Sequence, residues 1–343
     1  MAFDSDVTDW PSPPRAGSDA EHLVPGSDTS IAATAGRTRV GLYHRSMRIA
    51  FLGFGLIGGS VARALREAGP PFGDATLVGW SPSGRGPRAA VDEGVLDVAA
   101  ADAGDAVERA DLVIIGAPPI AALELIDVLG GRFAGHLAPG AIVTDVVSTK
   151  AAICRRAHER GLRFVGGHPM AGRESSGYAA SDAGLFVDRP WVVVTDGAVE
   201  ADVETVDAVA RACGARPIRM AAAEHDAATA AISHLPLVAA AALVEAIAGR
   251  PEDPAPGWGS AARLAASGWR DMTRLARGDV EMATGIVATN PAPVAARLRA
   301  LRVALDGWLT MLEEPGGPDA DEVRRRFQAA REAIEATPPV VDR

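Results

Sequence analysis

Cysteine is scarce: Cys154 and Cys213 are the two thiols in 343 residues. Two cysteines with no pattern of spacings exclude a disulfide framework and fit reduced thiols in a cytosolic protein. No uninterrupted run of about 18 apolar residues is present, so a membrane span is not expected. A basic surplus is also missing. Lys and Arg number 34 against 44 Asp and Glu, a formal net charge of −10 and a pI near 5.2. That balance speaks against a nucleic-acid surface or an anionic membrane surface, though not against a local basic pocket for an anionic substrate. The chain start lacks a basic stretch followed by an apolar one, so no secretory signal is read, and a cytoplasmic location is expected. Residues 1–46, with Asp4, Asp6, Asp9 and scattered prolines and serines, read as a disordered tail. No internal repeat is visible.

What is present is the material of an ordinary globular protein: 48% hydrophobic and 23% charged residues. The length allows about two domains of ~100–200 residues. From Met47 short apolar runs alternate with helical stretches. The runs are 48–54, 76–80, 111–118, 141–148, 163–167, 191–196 and 216–220; the stretches are 58–68, 86–93, 119–130, 149–160 and 199–212. Near-continuous apolar strands alternating with helices predict a doubly wound α/β sheet over 47–221. Beyond residue 221 the strands stop. Helices are expected over an alanine-rich stretch from 221 to 249 and over 260–276, 279–289, 291–312 and 318–335, separated by a Pro- and Gly-rich loop at 250–260. Residues 222–343 therefore read as an all-helical second domain. The chain beyond 315 holds one helix and a short tail, too little for an appended sensing domain.

The stretch "FLGFGLIGGSVARAL" puts Gly53, Gly55 and Gly58 in GxGxxG register. The motif follows a strand and opens a helix, the context in which it marks a dinucleotide-binding loop with Leu56 and Ile57 between the glycines. The bare helix N-terminus offers N–H groups to phosphates. A nicotinamide dinucleotide with a free ribose 2′-hydroxyl normally meets an Asp or Glu at the end of the second strand. Here that strand ends "VGWSPSGRGPR", with Ser81 in the acidic position and Ser83, Arg85 and Arg88 nearby. The pattern favours NADP over NAD, with acceptance of both left open.

Ligands bind outside the carboxyl ends of strands in such sheets. The fourth run ends at Ser148, with Lys150 just beyond; the fifth leads into His168 within "VGGHPMAGRESSG". Both then face the nicotinamide end of a cofactor held by the glycine loop. Gly166 and Gly167 read as room for close approach of a substrate. In the helical region, "EHDAATAAISHLP" carries His225, Asp226, Ser233 and His234, and the eight residues between Asp226 and His234 are close to two helical turns. Arg270, between Trp269 and Met272 in sequence, reads as a partly buried guanidinium needing an anionic partner. For Arg274 and Arg277 a surface ion pair is the expectation.

Taken in order, "GFGLIGGS", "DVVSTK", "GGHPMAG" followed by Glu174, "HD…SHLP" and "GWRDMTRLA" resemble the prephenate/arogenate dehydrogenases of tyrosine biosynthesis, from about Met47 to about residue 312. The resemblance implies a Rossmann domain followed by a helical domain that dimerises, hence a homodimer. It implies oxidative decarboxylation of prephenate or arogenate, with hydride passing from C4 of the ring to the nicotinamide. It makes His168 the proton acceptor for the C4 hydroxyl, and Ser148 the group that orients His168 and touches the same hydroxyl. Arg270 would bind a substrate carboxylate, and His234 would line the pocket. Glu174 and Asp226 would belong to a polar network near the pocket mouth. No metal site is implied. Many members read "SHLPH" where this chain has Leu237, which puts side-chain selectivity in doubt. Two other readings stand beside this one: a two-domain dehydrogenase of the β-hydroxyacid or imine-reductase kind, and a non-catalytic nucleotide sensor.

Overall fold

Six parallel strands form the main sheet of the computed structural model, which describes residues 46–173 and 175–337; the expected tail lies outside the described residues except for Ser46. The strands are β1 (Arg48–Leu52), β2 (Thr76–Trp80), β3 (Val98–Ala99), β4 (Leu112–Ile115), β5 (Ile142–Asp145) and β6 (Phe164–Val165). Their order is β3-β2-β1-β4-β5-β6, that of a Rossmann dinucleotide-binding sheet. Side chains alternate between faces. Ile49, Phe51, Leu112 and Ile114 enter one core; Ala50, Leu52, Val113 and Ile115 enter the other. All eight are at most 1% exposed. Coverage on both faces explains why the strands read as continuous apolar runs.

The helices of this part are α1 (Leu56–Glu67), α2 (Arg85–Asp92), α3 (Ala103–Val107), α4 (Pro119–Leu129), α5 (Ala151–Glu159) and α6 (Glu200–Ala212). In α6, Val203, Val206, Val209 and Ala210 recur at helical spacing and are buried, while Glu200 and Asp202 occupy the first turn, where a carboxylate complements the helix dipole. Strand β3, of two residues, and α3, of five, give too short a periodicity to be read from sequence.

The next three strands form a separate sheet. β7 (Gly167–Pro169) pairs antiparallel with β8 (Pro190–Val194), which pairs parallel with β9 (Arg216–Met220). The single run expected over 163–167 is thus two strands in two sheets, parted at Gly166. His168 lies inside β7, paired with Val192, rather than in a loop beyond a strand.

Helices follow from Ala222: α7 (Ala222–Thr229), a π-helical turn (Ala230–His234), α8 (Leu235–Ala248), α9 (Trp258–Ala262), α10 (Ser267–Thr273), α11 (Val280–Thr289), α12 (Pro291–Leu312) and α13 (Ala320–Glu335). A two-residue hairpin, Gly249–Arg250 against Asp253–Pro254, occupies the expected loop. Asp279 caps α11 by accepting from the Met282 amide at 2.8 Å. α7 and α11 pack on α5, and α11 also on α4, beside the carboxyl ends of the main sheet.

The continuous helical run Ala222–Ala248 is long and apolar enough by composition to cross a membrane, a possibility the absence of an uninterrupted apolar run had set aside; 22% of its most apolar window is buried. It carries His225, Asp226 and His234, all buried against α5 and Asn290. The exposed apolar positions lie elsewhere on the run and on α12.

Candidate active site

Three glycines fix the geometry where β1 meets α1. Gly53 has φ +89°, a left-handed conformation that favours glycine, and a Cβ there would come 2.6 Å from the Gly116 carbonyl oxygen. A Cβ on Gly58 would meet the Gly53 carbonyl oxygen at 2.8 Å. Backbone therefore packs directly on backbone between β1, α1 and the end of β4. A Cβ on Gly55 would meet nothing within 4 Å. Gly55 is also the N-cap of α1, which has no side-chain cap and no acidic residue in its first turn. Open space in front of free N–H groups at a positive helix end is what a pyrophosphate requires. Leu56 and Ile57 are half-buried on the same turn. Beneath the loop, Phe54 stacks on Tyr178 with ring centroids 5.4 Å apart, and Tyr178 donates to Glu93 at 2.9 Å.

At the end of β2 the chain turns through Ser81–Gly84, closed by a bond from the Gly84 amide to the Ser81 carbonyl (2.9 Å). Gly84 is left-handed, and α2 starts at Arg85. Ser81 is half-buried; Arg85 and Arg88 are exposed. Arg88 donates to the Ser83 carbonyl at 3.1 Å. No carboxylate stands between 81 and 88.

A half-buried His168 ends a polar chain whose other members are buried. Its Nδ1 lies 2.8 Å from Nε2 of His225, and Nδ1 of His225 lies 2.8 Å from Oδ1 of Asp226. The two rings are near-perpendicular, 74° between planes. Asp226 also receives the amides of Lys150 (2.7 Å, on Oδ1) and Ala151 (2.8 Å, on Oδ2) at the start of α5. Burial holds the His168 imidazole well below the usual histidine range, with His225, Lys150 and His234 adding to the effect. Burial opposes ionisation of Asp226, but donors from His225, Ala151 and Lys150 bring its carboxyl below the ordinary value.

The network differs from expectation at several points. Asp226 is 2% exposed and sits behind His225, one ring removed from His168, rather than at a pocket mouth. The room at Gly166 and Gly167 is not open to a substrate. A Cβ on Gly166 would strike Cys154 Sγ at 2.8 Å, and one on Gly167 would strike the Asp145 carbonyl at 2.5 Å and Trp191 at 3.1 Å. Their smallness lets β7 lie on the buried Lys150–Asp145 ion pair. Lys150 Nζ contacts Asp145 Oδ2 and donates to the Gly167 carbonyl at 2.7 Å. Asp145 Oδ1 accepts the Gly167 amide at 2.9 Å. The residue before His168 is clamped on both backbone groups.

Ser148 is half-buried just past the end of β5. His234 is 1% exposed; Nδ1 faces the amide nitrogen of Asn290 at 3.1 Å, and Nε2 is buried without a hydrogen bond. Burial lowers its pKa, opposed in part by Asp226 and by the Ser148 main chain. Eight residues at 3.6 per turn overshoot two turns by roughly 80°. The π turn, with more residues per turn, takes up that overshoot; Asn290 donates to the main-chain carbonyl of Asp226 and faces Nδ1 of His234. Arg270 is a clear departure: its side chain is 72% exposed and approaches Asp271 at 3.4 Å. Neighbouring Trp269 packs instead on Trp258, with centroids 5.3 Å apart. Glu174 lies outside the described residues.

Sequence reasoning gave no role to His225, Asn290 or the Asp145–Lys150 pair. The adjacent His-Asp of "EHD" was a usable signal, because a buried imidazole needs an acceptor. Asn290, 64 residues from Asp226, gave none.

The comparisons with known proteins agree with this geometry. The sequence model described as "Prephenate dehydrogenase, nucleotide-binding domain" matches residues 61–219. That described as "Prephenate dehydrogenase, dimerization domain" matches 221–329. The chain is 31% identical over 263 residues to a prephenate dehydrogenase of Lactococcus lactis, covering 76% of this chain and 69% of that protein. It is similar in structure to Synechocystis arogenate dehydrogenase, with TM-score 0.68 and 31% identity over 84% of this chain and 99% of that one. It is also similar to prephenate dehydrogenase from A. aeolicus in complex with hydroxyphenyl propionate and NAD+, with TM-score 0.71 and 26% identity over 84% of this chain and 98% of that one. A glycine-loop Rossmann sheet, a half-buried histidine at its carboxyl edge, a following helical region and these matches together establish that the chain belongs to the prephenate dehydrogenase family of NAD(P)-dependent oxidoreductases.

Proposed function

We propose that the protein is a cytoplasmic, NADP-preferring enzyme that oxidatively decarboxylates prephenate to 4-hydroxyphenylpyruvate, or arogenate to tyrosine. The observation that carries the reading is His168: an imidazole kept neutral by burial, anchored by the residue before it and placed by β7 next to the carboxyl edge of the main sheet. The names of the Lactococcus and Synechocystis relatives supply the two substrates.

The bound nicotinamide supplies the hydride acceptor. Gly53, Gly55 and Gly58 hold the dinucleotide, Leu56 and Ile57 line its turn, and Ser81 with Arg85 receives the 2′-phosphate. The lack of a carboxylate from 81 to 88 supports NADP. His168 takes the proton of the C4 hydroxyl as that oxygen becomes a carbonyl. It returns the proton once the carbon–carbon bond to the ring carboxylate breaks as CO2 and its electron pair aromatises the ring. No proton is consumed overall. Ser148 orients the hydroxyl, and His234 lines the pocket with its unpartnered Nε2. Arg270, exposed and held by one 3.4 Å contact with Asp271, takes a substrate carboxylate; Lys150 is fully engaged within the protein and is unsuited to that task.

A homodimer follows from the apolar face of the helical region. Leu305, Leu309 and Leu312 on α12 form a stripe at helical spacing, each more than half exposed. A stripe of this kind on the region matching a dimerization domain is what a second copy would cover.

The experiment is NADPH and NADH formation at 340 nm, with prephenate and arogenate each crossed with both cofactors. Turnover with at least one substrate, faster with NADP, is expected; silence in all four combinations overturns the reading.

A further inference from the structure

We propose that His225 and Asp226 complete a two-histidine proton relay with His168, so that the proton taken from the substrate is balanced on the His225–Asp226 pair rather than on His168. The proposal rests on the functional reading above and deepens it.

With both rings neutral, the hydrogen-bond chain admits one consistent set of proton positions. Both oxygens of Asp226 face main-chain N–H donors, from Lys150 and Ala151, which suits an ionised carboxylate. A carboxylate only accepts, so Nδ1 of His225, at 2.8 Å, carries a hydrogen. A neutral imidazole has one N–H, so Nε2 of His225 is a lone pair. It faces Nδ1 of His168 at 2.8 Å, which therefore carries the hydrogen. Nε2 of His168 is left unprotonated, as a general base must be. A distant carboxylate thus sets the tautomer of the base through an intervening ring, one ring longer than the usual His–Asp pair.

The surroundings give the second ring a task. The groups facing His168 are His225, Lys150 and His234, none of them anionic, and Asp145 is engaged by Lys150. A proton resting on His168 has no negative partner in contact. One shift corrects this: Nε2 of His168 takes the hydroxyl proton while the Nδ1 proton of His168 moves to Nε2 of His225. The resulting imidazolium of His225 lies against the Asp226 carboxylate. When CO2 leaves, the electron pair of the broken bond arrives at the ring oxygen, which takes its proton back from His168, and His225 returns the other. Both transfers reverse within one turnover.

The test reads proton positions directly. In 15N-histidine-labelled protein at pH 8, long-range 1H–15N spectra are expected to show both His168 and His225 as Nδ1–H tautomers. An Nε2–H tautomer at His168 overturns the relay, and no variant is needed to see it. His225→Gln keeps an acceptor oxygen opposite His168 but cannot take a proton. It is expected to leave the His168 tautomer and the dinucleotide affinity unchanged, leave KM within about threefold, and lower kcat about 10- to 100-fold, part of a general-base effect of ~10²–10⁴. A folded His225→Gln enzyme with wild-type kcat overturns the proposal. The two readings separate: an inactive wild-type enzyme with the expected tautomers removes the substrate assignment alone, and an active one with the wrong tautomer removes the relay alone.

Discussion

Lys150 Nζ donates to the carbonyl of Gly167 at 2.7 Å, one residue before His168, from within an ion pair with Asp145 in which neither side chain is exposed. The same lysine's amide rests on Asp226. One residue thus meets the base's backbone on one side and the chain behind its ring on the other. Replacing Lys150 by Met strips Asp145 of its counter-charge in a dry site, which costs about 3–5 kcal/mol where such pairs have been broken. Chemical denaturation is expected to show a loss of that size for Lys150→Met, and a smaller one for the double variant with Asp145→Asn. Equal losses would mean that the uncompensated charge is not the cause.

His168→Asn is expected to lower kcat at least ~100-fold, as for removal of a positioned general base. Dinucleotide affinity, measured by fluorescence titration, should stay the same, because the glycine loop belongs to other elements. A near-wild-type rate would return His168 to a structural part.

The pH dependence has a defined sign. His168 is held well below the ordinary histidine range by burial, His225, Lys150 and His234, so its basic form is complete at pH 6.5 and above. The acid limb of kcat/KM in the free enzyme should fall well below 6.5, with a flat profile from 6.5 to 8. Stability follows the same groups. Below about pH 6.5 the unfolded chain takes up protons that buried His168 and His234 refuse, so stability declines as pH falls from there toward their folded values. A melting temperature unchanged between pH 7 and 5 would contradict this.

Ser81→Asp places a carboxylate at the half-buried end of β2. KM for NADP should rise about tenfold or more and that for NAD should fall, since a phosphate would meet a charge of its own sign while a ribose hydroxyl gains an acceptor. An unchanged cofactor ratio would remove Ser81 and Arg85 from the 2′-phosphate site.

Leu305→Asp with Leu309→Asp should convert the dimer to monomer in sedimentation velocity. A wild-type monomer at micromolar concentration would count against the interface.

The doubly wound sheet and nearly every helix could be read from periodicity, because both faces of β1 and β4 are covered and α6 keeps one repeat throughout. The split at Gly166 could not, since it depends on Cys154 and Lys150 filling the space beside it. The candidate residues near the glycine loop and β7 were visible through their motifs. The partners of His168 and His234 were not, because sequence distances of 57 and 56 residues separate His225 from His168 and Asn290 from His234. Arg270 was misread as part-buried because apolar neighbours in sequence, Trp269 and Met272, do not pack around it; Met272 is itself 66% exposed.

The π turn at Ala230–His234 sets the phase of everything after it. Deleting one residue there would let the helix close as a regular α-helix, and seven residues at about 100° each from Asp226 leave α8 within roughly 20° of its present phase. His234 would keep its place beside Asn290, and the outward apolar face of α8 would keep its direction. The irregular turn stores one extra residue without moving either face; a further inserted residue, with no second such turn to absorb it, would rotate pocket and outer face together by about 100°.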